Sequence, residues 1–150
     1  MSTIQVTNIN DLSDNASLVT DNGGIKTDKL TGKTTAGSIS VVGEGNSTTT
    51  NLQQGLCKAW LQGNSDASTD DNFNIASGTD NGTGDYTYSF TTNMNNNTHI
   101  ATGMSSDSNA EIIHSNSRST TSVNIKVKEG SDGSTARDRA QAAAVHGDLA

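Results

Sequence analysis

Two acidic segments are the places in this sequence where the type and spacing of side chains could hold a metal ion. One segment carries Asp66, Asp70 and Asp71, and the other carries Asp80 and Asp85. Carboxylate oxygens are the ligands that Ca²⁺ prefers, but neither segment has the spacing of an EF-hand loop. Solvated turns have the same composition, so calcium binding stays open and the sequence predicts no metal site and no cofactor.

The residues that could serve nucleophilic or acid–base catalysis show no specific arrangement. His99, His114 and His146 are far apart in the sequence, and Ser and Asp are too abundant for a Ser-His-Asp triad to be diagnostic. The histidines could meet on a trimer axis as ligands or as a pH-sensitive contact, but each one separately is more typical of a hydrogen-bonded structural histidine. Residues 31–34 resemble the end of a phosphate-binding loop, although Thr27 replaces its required first glycine. We therefore predict that the protein is not an enzyme.

The composition favours association with other copies over a large private core. Hydrophobic residues make up 30% of the 150 residues, against roughly 45–50% in ordinary globular proteins. Either part of the chain is disordered, or it buries its sparse apolar surface against copies of itself. Because only 17% of the residues are charged, the second explanation is favoured.

Charge and targeting features exclude several classes of partner. The net charge is −7 and the basic residues are scattered, whereas phosphate recognition by nucleic-acid binders needs clustered Lys and Arg. No apolar run approaches the roughly 20 residues that span a bilayer, and residues 1–5 lack the features of a signal peptide. Cys57 is the only cysteine, so an intrachain disulfide cannot form. We expect no nucleic-acid binding, no membrane insertion and synthesis in a reducing cytoplasm.

Short strands are expected in the first third of the chain. Within residues 1–51 the apolar residues occur in small groups separated by polar turns, and such strands are too short to be stable alone. The groups are Ile4 and Val6, Leu18 and Val19, and Ile39, Val41 and Val42. We predict that residues 1–51 form an extended, intertwined shaft built from several subunits; the alternative is a flexible linker.

Residues 52–150 are expected to form a separate head domain with an all-β, antiparallel sandwich fold. All five aromatic residues lie between Trp60 and Phe90, which places the core in this window. A strand over residues 56–61 has apolar side chains on both faces, so it is expected to be a central strand.

The clearest hairpin in the head domain joins residues 73–76 to residues 86–91. The turn at residues 79–85 contains Asn-Gly and a second Gly, which supply positive φ angles at low cost. The returning segment alternates strictly, with three aromatic residues on one face. Further strands are predicted at residues 99–102, 112–113 and 123–127.

Residues 136–145 allow two interpretations. Local propensity favours a helix, with Ser134 as its N-cap and Gly147 as its stop signal. A row of alanines also suits a crowded central strand, where neighbouring backbones approach closely. The residues alone leave both open.

Four segments share their order and spacing with one known family. They are residues 55–60, 71–75, 79–87 and 145–150. They resemble a small β-rich domain of bacteriophage tail fibre proteins, many from aquatic hosts, over about two thirds of the chain. In that family the domain lies at the outer end of trimeric fibres and the final strand completes its sheet. The resemblance therefore implies a homotrimer, and a strand over residues 136–145.

The resemblance implies a virion structural protein. We expect a trimeric tail fibre or fibre tip on the virion surface that takes part in host receptor attachment, with residues 1–51 contacting other tail or capsid proteins. A capsid-surface decoration protein or head fibre is the alternative, because the chain is short for a long shaft. A sugar-cleaving depolymerase would need carboxylate pairs on a large β-helix with aromatic subsites, and this chain has few aromatic residues.

Receptor contacts are expected in three polar loops, residues 63–71, 93–97 and 105–109. Their amides, hydroxyls and carboxylates suit hydrogen bonding to a host surface glycan or protein. The candidate receptor-facing residues are Asn64, Asp66, Asp70, Asn95, Asn96, Ser106 and Asp107. Threefold valency and many fibres per particle would compensate for weak binding by each head.

Overall fold

The computed structural model of the chain describes residues 28–32, 39–42, 48–105 and 112–149, with the backbone alone for residues 112–116. These residues form ten strands and one short helix, so the fold is all-β, as predicted. The strands are β1 (Ser40–Val42), β2 (Thr49–Asn51), β3 (Cys57–Gly63), β4 (Thr69–Phe73), β5 (Ile75–Gly82), β6 (Asp85–Phe90), β7 (Ile100–Ser105), β8 (Ile112–Arg118), β9 (Ser122–Lys128) and β10 (Gln141–His146). The helix is α1 (Leu52–Gly55).

Eight of these strands form two four-stranded antiparallel sheets. Sheet I has the order β4-β3-β10-β7, and sheet II has the order β5-β6-β9-β8. β1 and β2 form a separate antiparallel pair. Both four-stranded sheets contribute side chains to one core cluster, an arrangement consistent with the predicted β-sandwich.

Alternation along the inner strands decides which side chains enter this core. In β6 and β9 every second residue is buried and the residues between are half-buried, because successive side chains of a strand point to opposite faces. Sheet II contributes Tyr86, Tyr88, Phe90, Val123, Ile125 and Val127, and sheet I contributes Ala59, Leu61, Ala143 and Val145. The alternation predicted for residues 86–91 and 123–127 is confirmed.

Two of the five aromatic residues lie outside the core, so the aromatic window that was predicted to locate the core contributes three of its five rings to it. Trp60 is 38% exposed and Phe73 is 50% exposed. β3 is an inner strand of sheet I, as predicted, but it turns Ala59 and Leu61 inward and Trp60 outward. Both faces of this strand are apolar, so its sequence does not determine which one faces the core.

The hairpin of β5 and β6 forms where it is predicted, but its turn is shorter. β5 continues to Gly82 and β6 begins at Asp85, so only Thr83 and Gly84 separate the two strands. Gly82 and Gly84 have φ angles of 122° and 62°, which glycine adopts without the steric cost of a Cβ atom.

A single residue, Asn74, carries the chain from sheet I to sheet II. Its φ angle is 59°, in the left-handed region that Asn tolerates better than most residues. Its Nδ2 donates to the carbonyl oxygens of Lys58 and Thr92, and its Oδ1 accepts from the amide of Thr92. These three bonds fix the corner between edge strands β4 and β5.

The chain's last strand, β10, decides between the two interpretations of residues 136–145. Gln141–His146 pairs with β3 on one side and with β7 on the other. The strand implied by the resemblance is confirmed over these six residues, and the helix favoured by local propensity is wrong. Pairing along both edges of the strand outweighs the helix preference of alanine, which is well under about 1 kcal/mol per residue.

Residues 1–27 lie outside the described residues, and so do the predicted strand groups at Ile4, Val6, Leu18 and Val19. The described strands belong to a compact unit that begins at Gly32. The boundary predicted at residue 51, the intertwining of subunits and the homotrimer stay predictions. In the described ranges no helix is long and apolar enough to cross a membrane.

Candidate functional site

The described candidate receptor residues lie at two opposite ends of sheet I, which are defined by the two ends of β10. Gly63 and Ser105 both pair with Gln141, and we call this the loop end. Cys57 and Ile100 both pair with His146 at the other end of β10. We call this second end the entry end, because α1 leads into β3 there.

The β3–β4 loop, residues 64–68, lies at the loop end and is held by its own polar side chains. Asn64 Nδ2 donates to Ser68 Oγ at 3.1 Å and to Asp70 Oδ1 at 2.8 Å. Asp66 Oδ1 accepts from the amide and the hydroxyl of Ser68, at 3.0 and 2.6 Å. The backbone also closes, since the Asn64 amide donates to the Ser68 carbonyl. The loop is therefore preorganised.

The carboxylates of Asp66 and Asp70 are exposed to solvent. The hydroxyl of Ser68, followed by its amide, lowers the pKa of Asp66. Asp70 was expected in a loop, but it lies in edge strand β4. Among the described contacts both carboxylates accept through Oδ1, so the Oδ2 oxygens remain for the hydroxyl groups of a ligand.

Two buried residues, Ala67 and Tyr86, hold the β3–β4 loop from below, and neither role was recognised in the sequence. Ala67 has a φ angle of 65° and is 3% exposed, so it fills the end of the core from an uncommon backbone conformation. Tyr86 supports the neighbouring backbone, because its hydroxyl donates to the Ser65 carbonyl at 3.2 Å and lies 3.3 Å from Asp138 Oδ1. Burial, and then the Asp138 charge, raises the pKa of Tyr86, so the phenol stays protonated and able to donate.

Asn95 and Asn96 lie at the entry end, away from the other candidates. The Asn95 amide donates to the Asp148 carbonyl at 2.7 Å, beside a bridge between Met94 and Leu149. Asn96 Oδ1 accepts from the amide and the hydroxyl of Thr98. The structure therefore does not bring these two residues together with Asn64, Asp66 and Asp70.

The third predicted loop is only partly visible. Ser106 and Asp107 lie outside the described residues, so their placement stays a prediction. Ser105, which precedes them, ends β7 opposite Gln141. The chain therefore leaves β7 at the loop end, the same end as the β3–β4 loop.

The second acidic segment has an internal role in the β5–β6 hairpin. Asp80 Oδ1 accepts from the Gly82 amide, and Asp85 forms an ion pair with Lys126 and accepts from Asn124. Burial raises the pKa of Asp85, but the bonds from Lys126 and Asn124 and the Lys126 charge outweigh it, so the net shift is downward. Within the described ranges no three His, Cys, Asp or Glu side chains converge on a common metal position.

Of the two histidines whose side chains are described, His99 has the more unusual environment. It is 1% exposed, its ring packs edge-on against Phe90 at 5.7 Å, and neither ring nitrogen has a hydrogen-bond partner. The expected hydrogen bond of this histidine is therefore not found among the described contacts. Burial lowers the pKa of His99, and the positive charge of Arg118 lowers it further. The nearby backbone of Asn96 acts in the opposite direction, although it does not reach hydrogen-bonding geometry. His146 is half-buried in β10, and the side chain of His114 lies outside the described residues.

A cavity of about 520 Å³ opens at the entry end. Leu56, Phe73 and Leu149 form its apolar side and Lys58 lies at its polar side. Lys58 is 6% exposed, and its ammonium donates to the Gln53 carbonyl. Sequence reasoning did not identify this cavity, because its residues come from four separate segments.

The outer faces of the two sheets differ in chemistry. On sheet I, Phe73, Trp60, Ala144 and Thr102 form one row across the four strands. Ala142 and Met104 lie in the next row along the strands. On sheet II the corresponding positions are polar: Ser77, Thr79, Asp85, Thr87, Ser89, Ser122, Asn124 and Lys126.

Comparisons with known proteins give no match: no family model fits the chain, and no curated protein or solved structure is significantly similar to it.

Proposed function

We propose that the protein is a non-catalytic structural protein of a bacteriophage virion, a homotrimeric tail fibre or fibre tip whose head takes part in host attachment. The observation that supports this proposal best is the position of β10. The likeness to phage fibre domains implies a final strand that completes a sheet, against the local helix propensity. β10 lies between β3 and β7 in sheet I.

The direction in which the chain enters the head supports a particular orientation on the particle. The Leu52 amide donates to the Ile39 carbonyl at 2.8 Å, and the Gln54 side chain bonds to Asp148 at the entry end. If residues 1–51 attach the protein to the virion, the entry end faces the particle and the loop end faces outward.

This orientation divides the seven candidate receptor residues. Asn64, Asp66 and Asp70 belong to the outward end in the proposal, while Ser106 and Asp107 lie outside the described residues. Asn95 and Asn96 belong to the end that faces the virion. Among the described residues the proposed receptor site therefore narrows to the β3–β4 loop and the first residues of β4.

The hydrogen-bonded β3–β4 loop suits recognition of a host glycan. Its side chains hold one another in place before a ligand arrives, so little further ordering is needed on binding. Carboxylate and amide oxygens directed to solvent can accept from sugar hydroxyls. One head would bind weakly, and trivalency would raise the apparent affinity.

The location of the protein on intact particles tests the virion role. Antibodies raised against residues 52–150 and visualised by electron microscopy should label the ends of tail fibres. Label spread over the capsid, with a copy number of hundreds by gel densitometry, would assign the protein to capsid decoration. Absence from purified particles would overturn the proposal.

Isosteric variants test the receptor end. Asp66→Asn and Asp70→Asn remove charge at the loop end, and Asp148→Asn is the matched control at the entry end. We expect each of the first two to weaken binding to host cells at least about fivefold, because losing about 1 kcal/mol lowers the affinity of a single head about fivefold. Equal binding by all three variants would contradict the assignment.

A further inference from the structure

We propose that the outer face of sheet I is the surface through which copies of this chain contact one another. This inference deepens the proposed homotrimeric assembly and rests on it. It assigns an interface to residues of the head, in addition to residues 1–51.

The side chains of this face are large, apolar and exposed. Trp60, Phe73, Ile100 and Met104 are 38%, 50%, 54% and 69% exposed. They lie on three strands of the same sheet, and Trp60 alternates with the core residues Ala59 and Leu61. Single exposed apolar residues are common, but a contiguous group across several strands marks an interaction surface.

The shape of this face allows the same face of another copy to pack against it. Ala142 and Ala144 lie on inner strand β10, with Trp60 beside them on β3 and Met104 on β7. The two alanines form a shallow trough between larger neighbours. A large side chain from a second copy can enter this trough, and in a closed ring of three copies the trough of the second copy receives the corresponding side chain of the third.

The charge distribution favours another copy as the occupant. Each chain carries −7, so two copies repel each other wherever their carboxylates meet. The exposed positions of β3, β10 and β7 on this face carry no Asp, Glu, Lys or Arg, and Asp71 lies at the margin on β4. Lys58 of β3 is buried, and its ammonium donates to the Gln53 carbonyl. The outer face of sheet II carries Asp85 and Lys126 instead.

The area of the face indicates how far the contact must extend. Four strands about 4.8 Å apart, with six residues rising about 3.4 Å each, cover a plane of about 400 Å². A stable interface buries about 800 Å² on each partner. Leu56 and Leu149, 52% and 39% exposed, adjoin Phe73 around the entry cavity and extend the apolar surface.

The only tryptophan of the chain reports on this contact directly. Trp60 lies in the middle of the face, so its burial between copies should protect it from acrylamide. We expect fluorescence quenching of the full-length protein to be weak at high protein concentration and to increase on dilution, in step with the change in mass seen by sedimentation velocity.

A pair of substitutions separates this face from the rest of the surface. Met104→Glu adds a carboxylate on edge strand β7 of sheet I, and Thr79→Glu adds one on edge strand β5 of sheet II. Both original side chains are exposed. We expect Met104→Glu to weaken self-association at least about tenfold, or about 1.4 kcal/mol, and Thr79→Glu to leave it unchanged.

The results of these experiments show separately whether the sheet I interface and the homotrimer exist. An oligomer in which Trp60 is fully quenched, or which Met104→Glu leaves intact, overturns this interface but leaves a trimer held by residues 1–51. A monomer at all concentrations overturns both the interface and the homotrimer. If Met104→Glu fails to fold, the concentration dependence of Trp60 quenching in the unaltered protein decides alone.

Discussion

Sheet II encloses its aromatic side chains, whereas sheet I exposes two of its own. Tyr86, Tyr88 and Phe90 are buried against the core, while Trp60 and Phe73 lie on an outer surface. A polar outer face makes sheet II suited to water, and an apolar outer face makes sheet I suited to another protein surface. The difference shows that a chain with few apolar residues can still place some of them outside its hydrophobic core.

The largest expected effect concerns the interior that the two sheets share. Ile125→Ala removes a fully buried side chain of sheet II and should lower the free energy of unfolding by about 2–5 kcal/mol. Thr79→Ala, on the outer face of the same sheet, should change it by less than about 0.5 kcal/mol. Urea unfolding measures both, and similar costs would contradict the assignment of inner and outer faces.

A smaller effect is expected at the hydrogen bond that joins the sheets. Gln141 Nε2 of sheet I bonds to the Tyr88 hydroxyl of sheet II at 2.5 Å, in a buried site. Tyr88→Phe leaves the amide donor unpaired and should cost about 1–3 kcal/mol. The double variant Tyr88→Phe, Gln141→Leu should cost less than the sum of the two single variants. Strict additivity in this cycle would show that the bond does not couple the sheets.

The contact of His99 with sheet II should make stability depend on pH. Burial lowers the pKa of His99 from its ordinary value of 6.5, so the unfolded chain binds the proton more readily than the folded chain. The stabilising contribution is present above about pH 6.5 and is lost as the pH falls through the folded-state pKa.

Thermal unfolding from pH 7.5 to pH 5 measures this dependence. The melting temperature should fall by about 4 °C for each kcal/mol lost, and that of His99→Met should fall less over the same range. Parallel curves for the two proteins would assign the acid sensitivity to other groups.

The smallest effect is expected on the polar outer face of sheet II. The Lys126–Asp85 pair is about a quarter exposed on each side, so Lys126→Met should cost at most about 1 kcal/mol. The cost should decrease in 0.5 M salt, because a partly exposed ion pair is screened. A larger, salt-independent cost would show that this face is packed against something other than water.

Strands whose apolar residues alternate regularly could be predicted from the sequence. Strands that depend on pairing with segments distant in the sequence could not. The alternation in residues 86–91 and 123–127 determines both the strand and its buried face. Edge strand β4 was missed, because Thr-Asp-Asp-Asn has a low strand preference and is ordered by backbone pairing with β3. β10 could not be distinguished from a helix by the residues alone, since its two pairing partners lie far away in sequence.

The candidate site was predictable in composition but not in arrangement. Polar loops were recognised from Asn, Ser and Asp, but their division between two ends depends on the direction of each strand. Asp70 was placed in a loop because its side chain is polar, although its backbone belongs to β4. Gly147 could be taken for a helix stop, whereas its lack of a side chain gives room to His99, whose Cβ would lie 2.7 Å from a Cβ at that position.

The place of β10 between β3 and β7 sets a condition on biosynthesis. Sheet I cannot close until residues 141–146 have left the ribosome, although β3 emerges some eighty residues earlier. Until then β3 and β7 each have an unpaired inner edge, and such edges are prone to pair with other nascent chains. A product that stops before Gln141 would have an incomplete sheet I, so premature termination should yield aggregated chains that cannot compete with full-length protein for assembly.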